Sequence, residues 1–156
     1  MYLDGKSLYS ETVNSPLGPV TIKGDEQGIH RILLGVYDKE KPYPLIEWVK
    51  NMMIRYFNGE KVEFKEIPVF LNIKKTISNF LIYVRQIPYG EVESYASLGL
   101  KTKLHPRAVG LYLSKNPVPI IIPCHRVIMK DGKLGGFTGG TKWKSFLLQL
   151  ERKNKI

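Results

Sequence analysis

The chain holds one cysteine, and an imidazole follows it directly, in Ile122-Pro123-Cys124-His125-Arg126-Val127. Sulfur attacks as thiolate, a form favoured beside cations and at the first turn of a helix. Pro123 suits the first position of such a turn, where its missing N–H goes unused in any case. Cys124 then lies over unpaired backbone N–H groups, with His125 and Arg126 adding positive charge. The pattern predicts a thiol of lowered pKa beside a base, the arrangement of a covalent nucleophile. Adjacent Cys and His also occur as plain core residues, so the surrounding elements must decide.

Ahead of this motif, Leu8 to Leu34 read as three short strands. Pro16-Leu17-Gly18-Pro19 and Gly24-Asp25-Glu26-Gln27-Gly28 supply the turns. Leu45, Trp48, Val49, Met52, Met53 and Tyr56 recur at helical spacing, as a core-facing stripe, and Asn58-Gly59 ends that helix. Glu60 to Val69 reads as a linker. Asn72 is a candidate cap for a helix with Ile73, Ile77, Phe80, Leu81 and Val84 on one face, stopped by Ile87-Pro88-Tyr89-Gly90. Ser94 caps a short helix, Tyr95 to Leu98. His105-Pro106 opens another, Arg107 to Ser114, which Asn116-Pro117 ends. Asn116 to Pro123 suits an extended buried segment. Asp131 to Gly140 is loop, and Thr141 caps a last helix with Trp143, Phe146, Leu147 and Leu150 inward and Glu151 in its final turn. His30 and His105 show no partner pattern and read as structural or solvated. The predicted class is therefore α/β in the α+β sense. A three-stranded antiparallel sheet plus helix, residues 1–68, precedes a mostly helical domain, 69–156, with a helix-turn-helix that could be winged.

Hydrophobic residues make up 43% of the chain and charged residues 24%, as in an ordinary globular protein. No apolar run approaches the ~20 residues that span a bilayer, and the first residues lack the pattern of a secretory signal. A single cysteine excludes an internal disulfide and a Cys-rich zinc site. An intracellular, non-membrane protein without metal or cofactor is the expectation. The net charge of +10 favours a polyanion. Lys101, Lys103, Arg107, Lys130, Lys133, Lys142 and Lys144 share the half that holds Cys124, which points to a binding face there.

A helix-turn-helix usually lays its second helix in the DNA major groove. Here that helix reads Pro106-Arg107-Ala108-Val109-Gly110-Leu111. It has little to read base edges, and its small residues suit a close, shallow contact with the minor groove. A cysteine nucleophile beside such a helix points to chemistry on a base, which must first be flipped out of the stack. Arg107, at the helix start, can fill the gap.

The ordered set of segments resembles the O6-alkylguanine-DNA alkyltransferases. It comprises Ile87-Pro88-Tyr89-Gly90-Glu91-Val92 with Ser94-Tyr95, Arg107-Ala108-Val109-Gly110, Asn116-Pro117-Val118-Pro119-Ile120, the Pro-Cys-His-Arg centre, and Gly139-Gly140. The likeness covers roughly 87–151. The first half matches the family's variable, ribonuclease-H-like domain only in its order of elements.

The resemblance implies that Cys124 accepts the alkyl group as a thioether, with His125 taking its proton through a water and Glu151 orienting the imidazole. It implies that Tyr95 donates to guanine N3 and Thr138 to O6, and that carbonyls of Cys124 and Val127 hold the exocyclic amine. Arg107 replaces the extruded base. Pro106, Ala108, Gly110, Ser94 and Arg126 belong to the DNA-binding set. Asn116 hinges the DNA-binding helices to the active segment, and Pro119 and Phe137 wall the alkyl pocket. The implied partner is double-stranded DNA carrying O6-alkylguanine, met by a monomer, with cooperativity along DNA left open. A thioether has no good leaving group, so one turnover per molecule is expected. The alternatives are a non-catalytic binder of damaged DNA with the same fold, a cysteine hydrolase and a transcription factor.

Overall fold

The computed structural model describes residues 2–3, 6–129, 131–137 and 139–155. A pair of two-residue strands, β1 (Tyr2–Leu3) and β2 (Lys6–Ser7), precedes the main sheet. That sheet is an antiparallel meander of β3 (Tyr9–Ser15), β4 (Gly18–Asp25) and β5 (Gly28–Leu34). Side chains alternate across a strand. Val20 and Ile22 therefore share one face with their partners Val13 and Ile32, and all four are buried. Against this face packs α1 (Pro44–Phe57), through Ile46, Val49, Met53 and Tyr56. Trp48, expected inward, is instead 46% exposed, because the packed stripe runs through Ile46, Val49 and Met53.

The other face of the sheet is polar, and the segment after β5 covers it. Asp38 N donates to Thr12 and Thr21 Oγ1, and Glu40 N to Ser10 O. Residues 60–69 are more than a spacer, since Val62, Phe64 and Ile67 are buried. Arg85 donates through Nη2 to the carbonyls of Phe64 and Ile67 and holds that segment.

In the second half, α2 (Lys75–Val84) begins two residues later than Asn72 as its cap predicts, with Lys74 at the cap and no side-chain capping bond. Next come β6 (Glu93–Ser94), α3 (Tyr95–Thr102) and α4 (Pro106–Leu113). Ser94 Oγ caps α3 by accepting from Ser97 N, as expected. His105 proves to be the cap of α4, its Nδ1 accepting from Arg107 N. The turn between the helices is tight. A Cβ on Gly99 would lie 2.6 Å from Leu104 O, so the position requires glycine. The helix-turn-helix is thus present, with α3 longer than its apolar pattern.

A 3-10 turn, Cys124–Arg126, leads into β7 (Val127–Ile128), which pairs parallel with β6. The last helix, α5 (Thr141–Lys153), has Gly140, not Thr141, at its cap; the φ of 92° there suits glycine. One apolar core runs through both halves. The free edge of β5 binds the halves together: Phe70 N donates to Ile29 O, and Ile32 N to Pro117 O, both at 2.9 Å. The second bond fixes the chain next to Asn116. His30, within β5, is buried, hydrogen-bonded to Asp25 at 2.8 Å and packed at a tilt against Phe70, so it is structural.

Candidate active site

Cys124 sits at the floor of a cavity of about 290 Å³, lined also by Tyr95, Gly110, Leu113, Ser114, Gly136 and Phe137. That size is at the small end for ligand sites, fit for one compact group. Three of the walls come from α4 and its cap, so the second helix of the helix-turn-helix forms one side of the cysteine's pocket. Gly135 makes room at the rim: with φ +71°, a Cβ there would lie 2.6 Å from Tyr95 Oη.

Asn116 joins the pocket floor to its support. Its Nδ2 donates to Ile122 O at 2.9 Å and to Cys124 Sγ at 3.2 Å, while Oδ1 accepts from Val118 N. The side chain therefore holds the bend 116–122 and touches the sulfur.

The thiol is not ionised by its surroundings as its sequence context predicts. Burial pushes it up to about 11, and this outweighs the Asn116 amide, the Lys144 charge and the local N–H groups, all of which favour the anion. A cation two residues along does not help when, as with Arg126, its charge is already claimed by a carboxylate. Desolvation likewise lowers His125, more than Glu151 raises it, and lowers Lys144 to about 8. Burial raises Tyr95, which stays a protonated donor at neutral pH.

Below the cysteine lies a buried polar cluster. His125 Nε2 meets Glu151 Oε2 at 2.6 Å. A carboxylate only accepts, so Nε2 carries the hydrogen and Nδ1 holds the lone pair. Nδ1 has no hydrogen-bond partner among the described residues. Arg126 grips the same carboxylate, Nε to Oε1 at 2.7 Å and Nη2 to Oε2 at 3.1 Å, and donates through Nη1 to Ile87 O. Burial alone would raise the Glu151 carboxyl, but His125 and Arg126 hold it well below the carboxylate range.

Of the residues singled out by sequence, Asn116 bonds Cys124 and Glu151 bonds His125, the two pairs meeting at adjacent residues of the 3-10 turn, and Tyr95, Phe137 and Gly110 share the cavity of Cys124. Arg107 and Pro106 are exposed at the start of α4, with Ala108 and Ser94 half-buried. Arg126 is corrected: at 2% exposure, with its guanidinium spent on Glu151 and Ile87, it has nothing to offer DNA. Pro119 and Val127 do not line the cysteine's cavity. Pro119 borders a neighbouring crevice against β5, and Val127 is fully buried in its pairing with Glu93. Thr138 lies outside the described residues. Lys144 is fully buried, not on a binding face; its Nζ donates to Gly136 O at 3.1 Å and lies 5.7 Å from the Tyr95 ring centre. Its spacing held the signal, since Lys144, Leu147, Leu148 and Glu151 fall at i, i+3, i+4 and i+7, one helix face. Tyr56, Leu113 and Ser114 were also missed, because only packing brings them here.

Two parts of the chain match the 6-O-methylguanine DNA methyltransferases: residues 77–153 their DNA binding domain, and 8–71 their ribonuclease-like domain. A methylated-DNA–protein-cysteine methyltransferase of Methanopyrus kandleri is 47% identical over 103 residues, 66% of this chain and 78% of that protein. A DNA base-flipping protein of Thermus thermophilus is 35% identical, covering 88% of this chain and 95% of its own. The Mycobacterium tuberculosis OGT, solved in complex with DNA, superposes with a TM-score of 0.82 at 32% identity, covering 94% of each chain. Fold and site define an α+β protein of the helix-turn-helix type with a buried cysteine. The chain belongs to the 6-O-methylguanine DNA methyltransferase family.

Arg126→Ala leaves Glu151 buried without its main counter-charge and is expected to destabilise the protein by about 3–5 kcal/mol. Urea unfolding measures this. An unchanged midpoint with weaker DNA binding would return Arg126 to the DNA-facing set.

Proposed function

We propose that the chain repairs alkylated DNA, transferring the alkyl group of O6-alkylguanine to Cys124 in a single irreversible turnover. The observation that carries this reading is the wall shared between the cysteine's cavity and α4. A helix that meets DNA is thereby adjacent to a nucleophile in a pocket sized for one base. A base within a duplex cannot enter such a pocket, so the damaged nucleotide leaves the stack. Arg107 is exposed on α4, three residues before Gly110 in the cavity wall and so on the same face. It takes the place of the extruded base.

The chemistry follows from the buried cluster. His125 Nδ1 accepts the thiol proton through a water, and Glu151 holds the imidazolium that forms. Lys144 and Asn116 favour the sulfur anion. The sulfur attacks the alkyl carbon in line; the S–C bond forms as the C–O6 bond breaks, and the electron pair stays on guanine. Tyr95, a protonated donor, supplies a hydrogen bond at N3 as that charge grows. Phe137 walls the alkyl group, and Thr138 donates at O6. No group in the cluster can release a thioether, so each molecule acts once, without cofactor, as an intracellular monomer on double-stranded DNA.

The base-flipping relative favours a second reading, a binder of damaged DNA that transfers nothing. A cysteine kept in a built pocket beside a base weighs against it, and one experiment separates the two. Mixed with a duplex carrying O6-methylguanine, the protein is expected to gain one methyl group per molecule, mapped to Cys124, with guanine restored. Cys124→Ser should bind the duplex and leave it methylated. Binding by the native protein without a mass change would establish the second reading.

His125→Gln tests the proton path. With the base gone, the thiol must ionise unaided, so single-turnover transfer should be slow at pH 7. It should rise about tenfold per pH unit toward the thiol's pKa of about 11. A rate flat between pH 7 and 10 would remove His125 as the proton acceptor. Arg107→Ala should slow repair of duplex more than reaction with free O6-methylguanine. Equal losses would deny it the place in the stack.

A further inference from the structure

The Glu151 carboxylate has a partner from the other half of the chain. Tyr56, fully buried on α1, donates from Oη to Glu151 Oε2 at 2.5 Å. The ring is clamped by edge contacts with Phe57, Phe64 and Tyr89. Oε2 therefore receives Tyr56, His125 and Arg126 Nη2, while Oε1 receives Arg126 Nε and Gly90 N. A carboxylate offers about four lone-pair sites, so this one is saturated. A phenol that only donates is not needed to neutralise the charge; Arg126 already does that. What it can do is compete with His125 for the same oxygen.

We propose that Tyr56 is a positioning residue for alkyl transfer, which tempers the charge that Glu151 Oε2 presents to His125 and so keeps the imidazole a weak, neutral base. The proposal rests on reading Cys124 and His125 as nucleophile and base. Each donor on Oε2 draws electron density from the bond to His125 Nε2 and makes the imidazolium less favourable. Burial first, and then the Glu151 charge, raise the phenol far above its ordinary range, so it donates at every working pH. The groups that face His125 and Glu151 are Tyr56 from α1, Tyr89 and Gly90 N from the turn after α2, Cys124 and Arg126 beside His125, and Lys144 from α5. Glu63 lies 3.6 Å beyond Arg126. Among these, Tyr56 is the neutral side chain that shares His125's own oxygen.

The sign follows. A base must be neutral to accept the thiol proton, so transfer fails below the pKa of His125. Tyr56→Phe removes the hydroxyl and keeps the ring. Density returns to Oε2, the imidazolium gains, and the acid limb of the transfer rate should move up by about one pH unit, the scale of one hydrogen bond. The measurement is single-turnover methyl transfer from an O6-methylguanine duplex across pH 4.5–8 (roughly the range in which a histidine titrates). The histidine shift is read in parallel by NMR of the imidazole nitrogens. Should Tyr56→Phe fail to fold, 3-fluorotyrosine placed at position 56, a stronger donor of nearly the same shape, should move the limb down. A limb that stays in place in whichever protein is measured, whatever the loss in thermal stability, overturns the proposal. If the native protein gains no methyl group on Cys124, the functional reading has failed instead.

Discussion

The ionised carboxylate of Glu151 is buried away from water, and three separate stretches of chain replace its hydration. α1 contributes a phenol, the turn at Gly90 a backbone N–H, the 3-10 turn an imidazole and a guanidinium, and α5 the carboxylate itself. Removing a charge from water costs several kcal/mol unless its partners are in place. None of these partners is close to Glu151 in sequence. The cluster can therefore form only when both halves are packed, which gives the first half a part in the site although its sequence carries no nucleophile.

Above this cluster, desolvation acts on every titratable group in one direction, toward the neutral form. It raises Cys124 and lowers His125 and Lys144. The resting site thus keeps a protonated sulfur beside a neutral imidazole, with a nearby lysine easily discharged. On the proposed chemistry this is an advantage. A nucleophile used once is better held unreactive until an alkyl carbon is seated against it. Charge then develops in a site whose donors are already oriented, with little left to reorganise.

The elements that carry the site are largely legible in the sequence. The strand meander and α1 follow from alternation and helical period, and the helix-turn-helix from Ser94 and the His105-Pro106 start. Errors fell where local signals compete. Asn72 looks like a cap, but α2 begins after Lys74, and Thr141 looks like one where Gly140 supplies the needed backbone. Arg126 reads as a surface cation because a sequence does not show that a buried carboxylate claims it. Lys144 carried a helical-face signal that its charge concealed, since buried lysine is rare.

The sequence by itself determined the nucleophile, its neighbouring base and the helix pair beside them, because those depend on residue types at short separations. Only the tertiary structure decided the protonation state of the sulfur, the partner of Arg126 and the reach of Tyr56 to Glu151. Burial, and hydrogen bonds between residues as far apart as 56 and 151, are properties of packing, and no local pattern encodes them.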